Sequence, residues 1–255
     1  MNKIFIFGVN NSFTRRISII IIMAMIFMAG LIFPLSFYSA EVVQAHIPLD
    51  TDVPATRADP IMIEDHKISW AAYNILKRPG DVHYYRFEAE AGEEIYASMM
   101  VPHLERLKDY SPEYALIGPG LEDNIAGFSP EEIRAKLDIQ DNEGVSIVRY
   151  QEPEGEEAET FFEHFTRTEY WRRQKSTISA PEDGTYFLVV FSRAEETGKY
   201  VLAVGREEKW GVGDIVRLPK IWWDVRMFME KESSTYAAAS ILAAVGGYFI
   251  YRLIR

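Results

Sequence analysis

The residue best placed to do chemistry in this chain is His46. Val43-Gln44-Ala45 sets small side chains at the third-last and last positions before it, the pattern an export signal leaves at its cut site. Cleavage after Ala45 makes His46 the first residue. Its free α-amine and a ring nitrogen then form a chelate suited to Cu(II), which favours tetragonal nitrogen coordination. Pro48 has no amide hydrogen, so binding that strips successive backbone amides stops there, and further ligands must come from the folded domain. His66, His83, His103 and His164 form no i, i+3 or i+4 pair and read as surface or structural histidines.

Other chemistries find less support. There is no Gly-x-Ser-x-Gly, no phosphate-cradling glycine loop, no His-Glu-x-x-His and no dinucleotide fingerprint. Cysteine is absent, which excludes disulfides, thiolate zinc sites and a cysteine nucleophile. Three basic residues and one acidic residue precede residue 46, and six basic and four acidic ones follow residue 210. That leaves 18 basic and 33 acidic residues between them, a net −15. Such a surface repels phosphate backbones, so nucleic acid is not an expected partner. With carboxylates this abundant, no glycosidase pair stands out. Glu152 to Glu159 holds five glutamates in eight residues around Gly155. Calcium chelation is one reading, but the Asp and Gly spacing of a calcium loop is missing and a solvated loop is favoured. Phe161, Phe162, Phe165, Tyr170 and Trp171 alternate with His164, Arg167, Arg172 and Arg173. Stacking on bases or sugars is weighed against aromatic rings tucked under a long loop, and the net charge favours the loop. No catalytic residues are assigned and no enzyme is expected.

The elements that position these residues are strands. From Gly80 to Pro102, Tyr85, Phe87 and Ala89 alternate with polar neighbours. After Ala91-Gly92-Glu93 the alternation returns in Ile95, Ala97, Met99 and Val101, which reads as a β-hairpin with one face to bury. Gly184 to Phe191 and Gly198 to Val204 each set Tyr, Leu and Val two apart after a glycine turn, and they read as a second hairpin. Ile68, Trp70, Ala72 and Tyr73 before Leu76, Tyr114 to Gly120 and Val145 to Arg149 supply further strands. Ser129-Pro130-Glu131-Glu132 caps one short inserted helix.

These strands carry a resemblance. Gly80-Asp81 to Phe87 followed by Glu90-Ala91-Gly92, the turn from Leu116 to Gly120, and the paired Gly-x-Tyr-x-Leu-x-Val strands resemble the bacterial pre-peptidase carboxy-terminal (PPC) domain. The likeness covers roughly residues 66 to 205 and implies an all-β, antiparallel, jelly-roll-like β-sandwich that binds rather than catalyses. His83 stands where many relatives carry a second acidic residue, so the resemblance does not extend a cation site to Asp81. No peptidase domain is attached in this sequence.

The two ends frame the sandwich. Lys3, Arg15 and Arg16 precede the apolar run Ile17 to Phe33, which reads as a signal peptide (residues 1–45) or an uncleaved amino-terminal anchor. Residues 46–65 form an extended lead-in and 66–210 the sandwich. In 211–234, Ile221, Trp222, Val225, Phe228 and Met229 fall at helical spacing with basic neighbours. A helix packed on the sandwich is the alternative, but the position just before an apolar span favours a juxtamembrane amphipathic segment at headgroup level. Thr235 to Tyr251 runs about 17 residues without a charge and ends near Arg252 and Arg255, which reads as a membrane span with its positive end inside. Ala239, Ala243 and Gly247 lie on one stripe that a homodimer could use. The expectation is therefore a single-pass protein of a prokaryotic cell membrane, its main domain outside the cytoplasm and binding a protein or surface ligand. A copper-handling ectodomain is the alternative, and an extracytoplasmic hydrolase a second one.

Overall fold

The computed structural model describes residues 46–152, 158–209 and 211–255. The signal or anchor read at residues 1–45 and the centre of the acidic run, residues 153–157, lie outside them. The strands are β1 (Ile47–Pro48), β2 (Ile61–Met62), β3 (Trp70–Leu76), β4 (Val82–Ala89), β5 (Glu94–Pro102) and β6 (Glu113–Pro119). After helix α1 (Pro130–Lys136) come β7 (Glu143–Val148), β8 (Thr160–Glu163), β9 (Thr168–Ser179), β10 (Gly184–Phe191) and β11 (Gly198–Val204), then helices α2 (Val212–Phe228) and α3 (Glu232–Ile254).

The strands build a β-sandwich. One sheet has six strands in the order β1-β3-β11-β5-β9-β8, and the other has five in the order β2-β4-β10-β6-β7. Tyr85, Phe87, Ile95, Tyr186, Leu188, Tyr200 and Leu202 share one core cluster between the sheets, none more than 1% exposed. Their two-residue spacing puts them on the inward face, and burying that face is the main driving force of the fold.

Two sequence expectations are corrected here. β4 and β5 are not a hairpin, because β4 pairs with β2 and β10 while β5 pairs with β11 and β9 in the opposite sheet. β10 and β11 likewise lie in different sheets. Both links are arches that cross the core. Alternation specifies which face of a strand is buried but not which strand is its neighbour, so an arch and a hairpin read alike. The arch after β4 is held by bonds to the turn before β10, with Ala91 N donating to Asp183 Oδ1 at 2.7 Å and Gly92 N to the Ala180 carbonyl at 2.8 Å.

The aromatic and arginine segment is also not a loop. β8 and β9 form a true hairpin, and β9 is 12 residues long. Its pattern is masked because buried positions carry polar groups. Arg173 donates to the carbonyls of Tyr110 (3.1 Å) and Lys108 (2.6 Å), and Gln174 to that of Pro112 (2.7 Å).

The lead-in is extended, and it adds a short parallel strand to each sheet, β1 on β3 and β2 on β4. The antiparallel sandwich thus carries two parallel edges. Each sheet also has an apolar outer face. On the five-stranded sheet, Ala115, Ile117, Val145, Phe187 and Val189 pack against Ile133 and Leu137 of α1 and its end. Ser129 caps α1, its hydroxyl accepting from Glu132 N at 3.2 Å. On the six-stranded sheet, Ala71, Met100, Tyr170, Val201 and Ala203 pack against Val225 and Met229, so the segment read as juxtamembrane gives this face of α2 to the sandwich. Glu230 closes this compact unit and Lys231–Arg255 belong to a second. Within the second, Glu232–Arg252 is 21 residues long with mean hydropathy 1.2, long and apolar enough to cross a membrane.

Candidate functional site

The antiparallel register brings three distant parts of the chain to one end of the five-stranded sheet. Glu113 opens β6 opposite Phe191, the last residue of β10, and Tyr114 lies opposite Val148, the last residue of β7. Arg149 and Arg193 therefore emerge beside Glu113. A cleft of about 270 Å³ opens there, lined by Ser111, Glu113, Arg149, Tyr150, Glu152, Ser192, Arg193, Ala194 and Glu196.

Glu113 is 6% exposed and holds both guanidiniums on one oxygen. Arg149 Nε lies 2.9 Å and Arg193 Nε 3.1 Å from its Oε1. Its Oε2 and the Ser111 hydroxyl are buried without a hydrogen-bond partner. The two arginines also share the Ala126 carbonyl, at 3.3 Å from Arg149 Nη1 and 2.8 Å from Arg193 Nη2. Ala126 has φ 49° and Gly127 φ 86°, a left-handed turn that presents this carbonyl. The Arg193 guanidinium lies 3.7 Å from the ring centre of Phe128, and that of Arg173 lies 5.0 Å from the ring centre of Tyr150. The carboxylate is buried while both guanidiniums reach the solvent at the cleft. The arrangement can recognise a polar or charged group. Among the described lining residues no imidazole lies beside Ser111 or Ser192.

A second cleft, about 250 Å³, lies where β11 ends, away from the β10–β11 loop that borders the first. His66 is 2% exposed there and lies tilted against Phe87 with ring centres 5.1 Å apart. Its Nε2 is 3.6 Å from Glu93 Oε2, longer than a hydrogen bond, and burial holds its pKa below the ordinary value. Glu93 is occupied by Lys67 Nζ at 2.7 Å and by Glu90 N at 3.0 Å. This cluster braces the turn between β4 and β5.

His46 is half-buried just before β1, with Nδ1 2.6 Å from Ser69 Oγ. Burial lowers its pKa to about 4, so the ring is neutral at neutral pH. Among the described residues no group of three or more His, Asp or Glu side chains is placed to hold a metal ion. The other histidines are dispersed, His83 on the Tyr200 hydroxyl at 2.8 Å, His103 against Trp171 at 3.9 Å between ring centres, and His164 edge-on to Phe162. Of the acidic run, Glu152 lines the first cleft and Glu159 pairs with Arg172 at 3.0 Å. Glu113, Arg149 and Arg193 were not singled out by sequence reasoning. The available signal was a charged residue at the boundary of each of three apolar strands, all three boundaries falling at one end once the strands run antiparallel.

No family model and no curated protein matches the sequence. Among solved structures, the chain is similar to PliG of Salmonella Typhimurium, a periplasmic lysozyme inhibitor of g-type lysozyme, with 17% identity, TM-score 0.29, and coverage of 56% of this chain and 96% of that one. PliG of Aeromonas hydrophila matches with 12% identity, TM-score 0.29, and coverage of 63% and 98%. The pre-peptidase carboxy-terminal domain of a Bacillus anthracis collagenase matches with 8% identity, TM-score 0.28, and coverage of 55% and 90%. The PPC domain named by the sequence resemblance is thus among these structures, while the β-sandwich itself is read from the strand order and the shared core.

Proposed function

We propose that this chain is a membrane-anchored extracytoplasmic binding module whose partner docks at the Glu113 cleft and is a protein with a basic surface. The cleft carries this reading: a buried carboxylate held by two arginines, with an unpartnered oxygen, lies beside Tyr150 and is rimmed by Glu152 and Glu196. The net −15 between residues 46 and 210 favours encounter with a cationic partner. The length and apolar character of α3 support the anchor, and Arg252 and Arg255 support its orientation.

Two experiments test this. Protease added to intact cells should degrade the sandwich and leave a small membrane-bound carboxy-terminal fragment; protection of the sandwich would overturn the topology. A photo-crosslinking residue at Ala194 should capture a basic membrane or extracytoplasmic protein in native membranes, and 0.5 M salt, a screening length of about 4 Å, should suppress capture. The same residue at Glu94, in the opposite cleft, should not capture it. Equal capture at both positions would remove the Glu113 cleft from the interface.

Copper binding at His46 is a second reading, resting on the cut-site pattern Val43-Gln44-Ala45 that would free its α-amine. Chelation through Nδ1 and the α-amine would displace Ser69 from Nδ1. Mass spectrometry of the mature amino terminus decides first. If the chain begins at His46, copper titration of the mature protein should show tighter binding than a form with one additional amino-terminal alanine, and equal affinity sinks the idea.

A further inference from the structure

His83, Tyr200, Tyr85 and Asn74 form one hydrogen-bonded chain across the core. His83 Nδ1 is 2.8 Å from Tyr200 Oη, which is 2.8 Å from Tyr85 Oη, and Asn74 Nδ2 donates to Tyr85 Oη at 3.4 Å. His83 and Tyr85 belong to β4 in one sheet; Asn74 on β3 and Tyr200 on β11 belong to the other. Both tyrosines are 0% exposed, and burial raises their pKa values, Tyr85 to about 12, so both hydroxyls keep their hydrogens.

The chain has a fixed direction. Asn74 Oδ1 accepts from Ile75 N at 2.8 Å, which turns the amide NH₂ toward Tyr85. Tyr85 accepts there and donates its single hydrogen to Tyr200. Tyr200, having accepted, donates its own hydrogen to His83. His83 must therefore present a bare Nδ1, neutral with its proton on Nε2. A solvent proton arriving at Nδ1 would make His83 a donor to Tyr200 and turn Tyr200 toward Tyr85. Tyr85 would then accept from both sides, and its hydrogen would have no acceptor along the chain.

We propose that this one-directional chain is an acid-sensitive tie between the two sheets, which protonation of His83 at Nδ1 loosens at β4 and β11. The groups facing His83 agree with this. Burial lowers its pKa most, Asp81 opposes this and Lys77 adds to it. Asp81 is already engaged by the backbone amides of Lys77 and Arg78 at 2.9 Å each and by Arg78 Nε at 3.2 Å. Across the ladder on β10 stands the uncharged Val190, and Tyr110 is the further titratable group near Tyr200. The sign follows from the lowered folded-state value. The unfolded chain takes up the proton first, so stability is full above the ordinary histidine value of about 6.5 and is lost as pH falls from there toward the folded pKa.

The test uses the full chain in nanodiscs with ¹⁵N-labelled histidine. His83 should show the Nε2–H tautomer and titrate below the ordinary histidine value. Asn74→Ala opens space beside the Tyr85 hydroxyl for a water that accepts its hydrogen when the chain reverses, so the His83 midpoint should rise by about one unit. An Nδ1–H tautomer, a midpoint at or above the ordinary value, or an unmoved midpoint in Asn74→Ala overturns the proposal. If Asn74→Ala does not fold, His83→Gln decides, because its amide oxygen can accept from Tyr200 at every pH. The protection factors of the Tyr85 and Tyr200 amides, exchange corrected for its intrinsic pH dependence, should then lose the fall that the parent shows from pH 7 to pH 5, and an unchanged fall sinks the idea.

Discussion

Gly118 on β6 lies flat against the ring of Tyr186 on β10, where a Cβ would come within 2.1 Å of Cδ1. The ring has nowhere to go. Its hydroxyl donates to the Glu182 carbonyl at 2.7 Å, and its face stacks on Phe87 with ring centres 6.1 Å apart. Gly118→Ala should destabilise the sandwich by about 1–3 kcal/mol in urea unfolding, the range for forcing an extra carbon into a packed core. Adding Tyr186→Leu should give a double variant that loses less than the sum of the two single losses, because the clash is shared.

Leu188 is 1% exposed at the centre of the same core, whereas Val216 on α2 is 76% exposed. Leu188→Ala should cost about 2–5 kcal/mol. Val216→Ala should stay within about 0.5 kcal/mol of the parent. Thermal unfolding of the two variants side by side checks the contrast.

Glu113 separates the Arg149 and Arg193 guanidiniums, whose side chains are 47% and 33% exposed. Glu113→Gln keeps the shape but leaves two cations facing each other. Water reaches both, so the loss should be about 1–2 kcal/mol, less than for a fully buried pair. Raising the salt to 1 M should reduce the loss, since a screening length of about 3 Å weakens the repulsion. A salt-independent loss would mean that packing, not charge, is what Glu113 supplies.

Glu230 ends the α2 segment with φ 57° and accepts from Lys199 Nζ at 2.7 Å and Arg106 Nη1 at 2.9 Å. These bonds hold its pKa below the ordinary glutamate value. For a carboxylate lowered in this way, the stabilisation is present above the unfolded value of about 4.3 and is lost as pH falls through the folded one. Protection factors of the Met229 and Glu230 amides, exchange corrected for its intrinsic pH dependence, should therefore fall below that pH before those in β11 do. Glu230→Gln should show the lower protection at all pH values.

The alternation of Tyr85, Phe87 and Ala89, and of Tyr186, Leu188 and Val190, determines by itself that these strands bury one face, because side chains on a strand repeat every second residue. The cap at Ser129 and the uncharged run from Thr235 to Tyr251 are equally local, so α1 and α3 follow from short windows of sequence. Strand partners are not local. Only the packed structure decides that β4 and β5, and β10 and β11, cross between sheets, since an arch and a hairpin bury the same alternating residues. β9 is hidden for a related reason: its buried Arg173 and Gln174 donate to carbonyls of residues 108–112, groups that no window around β9 contains. Glu113, Arg149 and Arg193 stand far apart in the chain, and the antiparallel register of β6 with β7 and β10 is what makes them one cluster. Local spacing determines which faces must be buried; the pairing that buries them all at once decides which charges meet at the end of the sandwich.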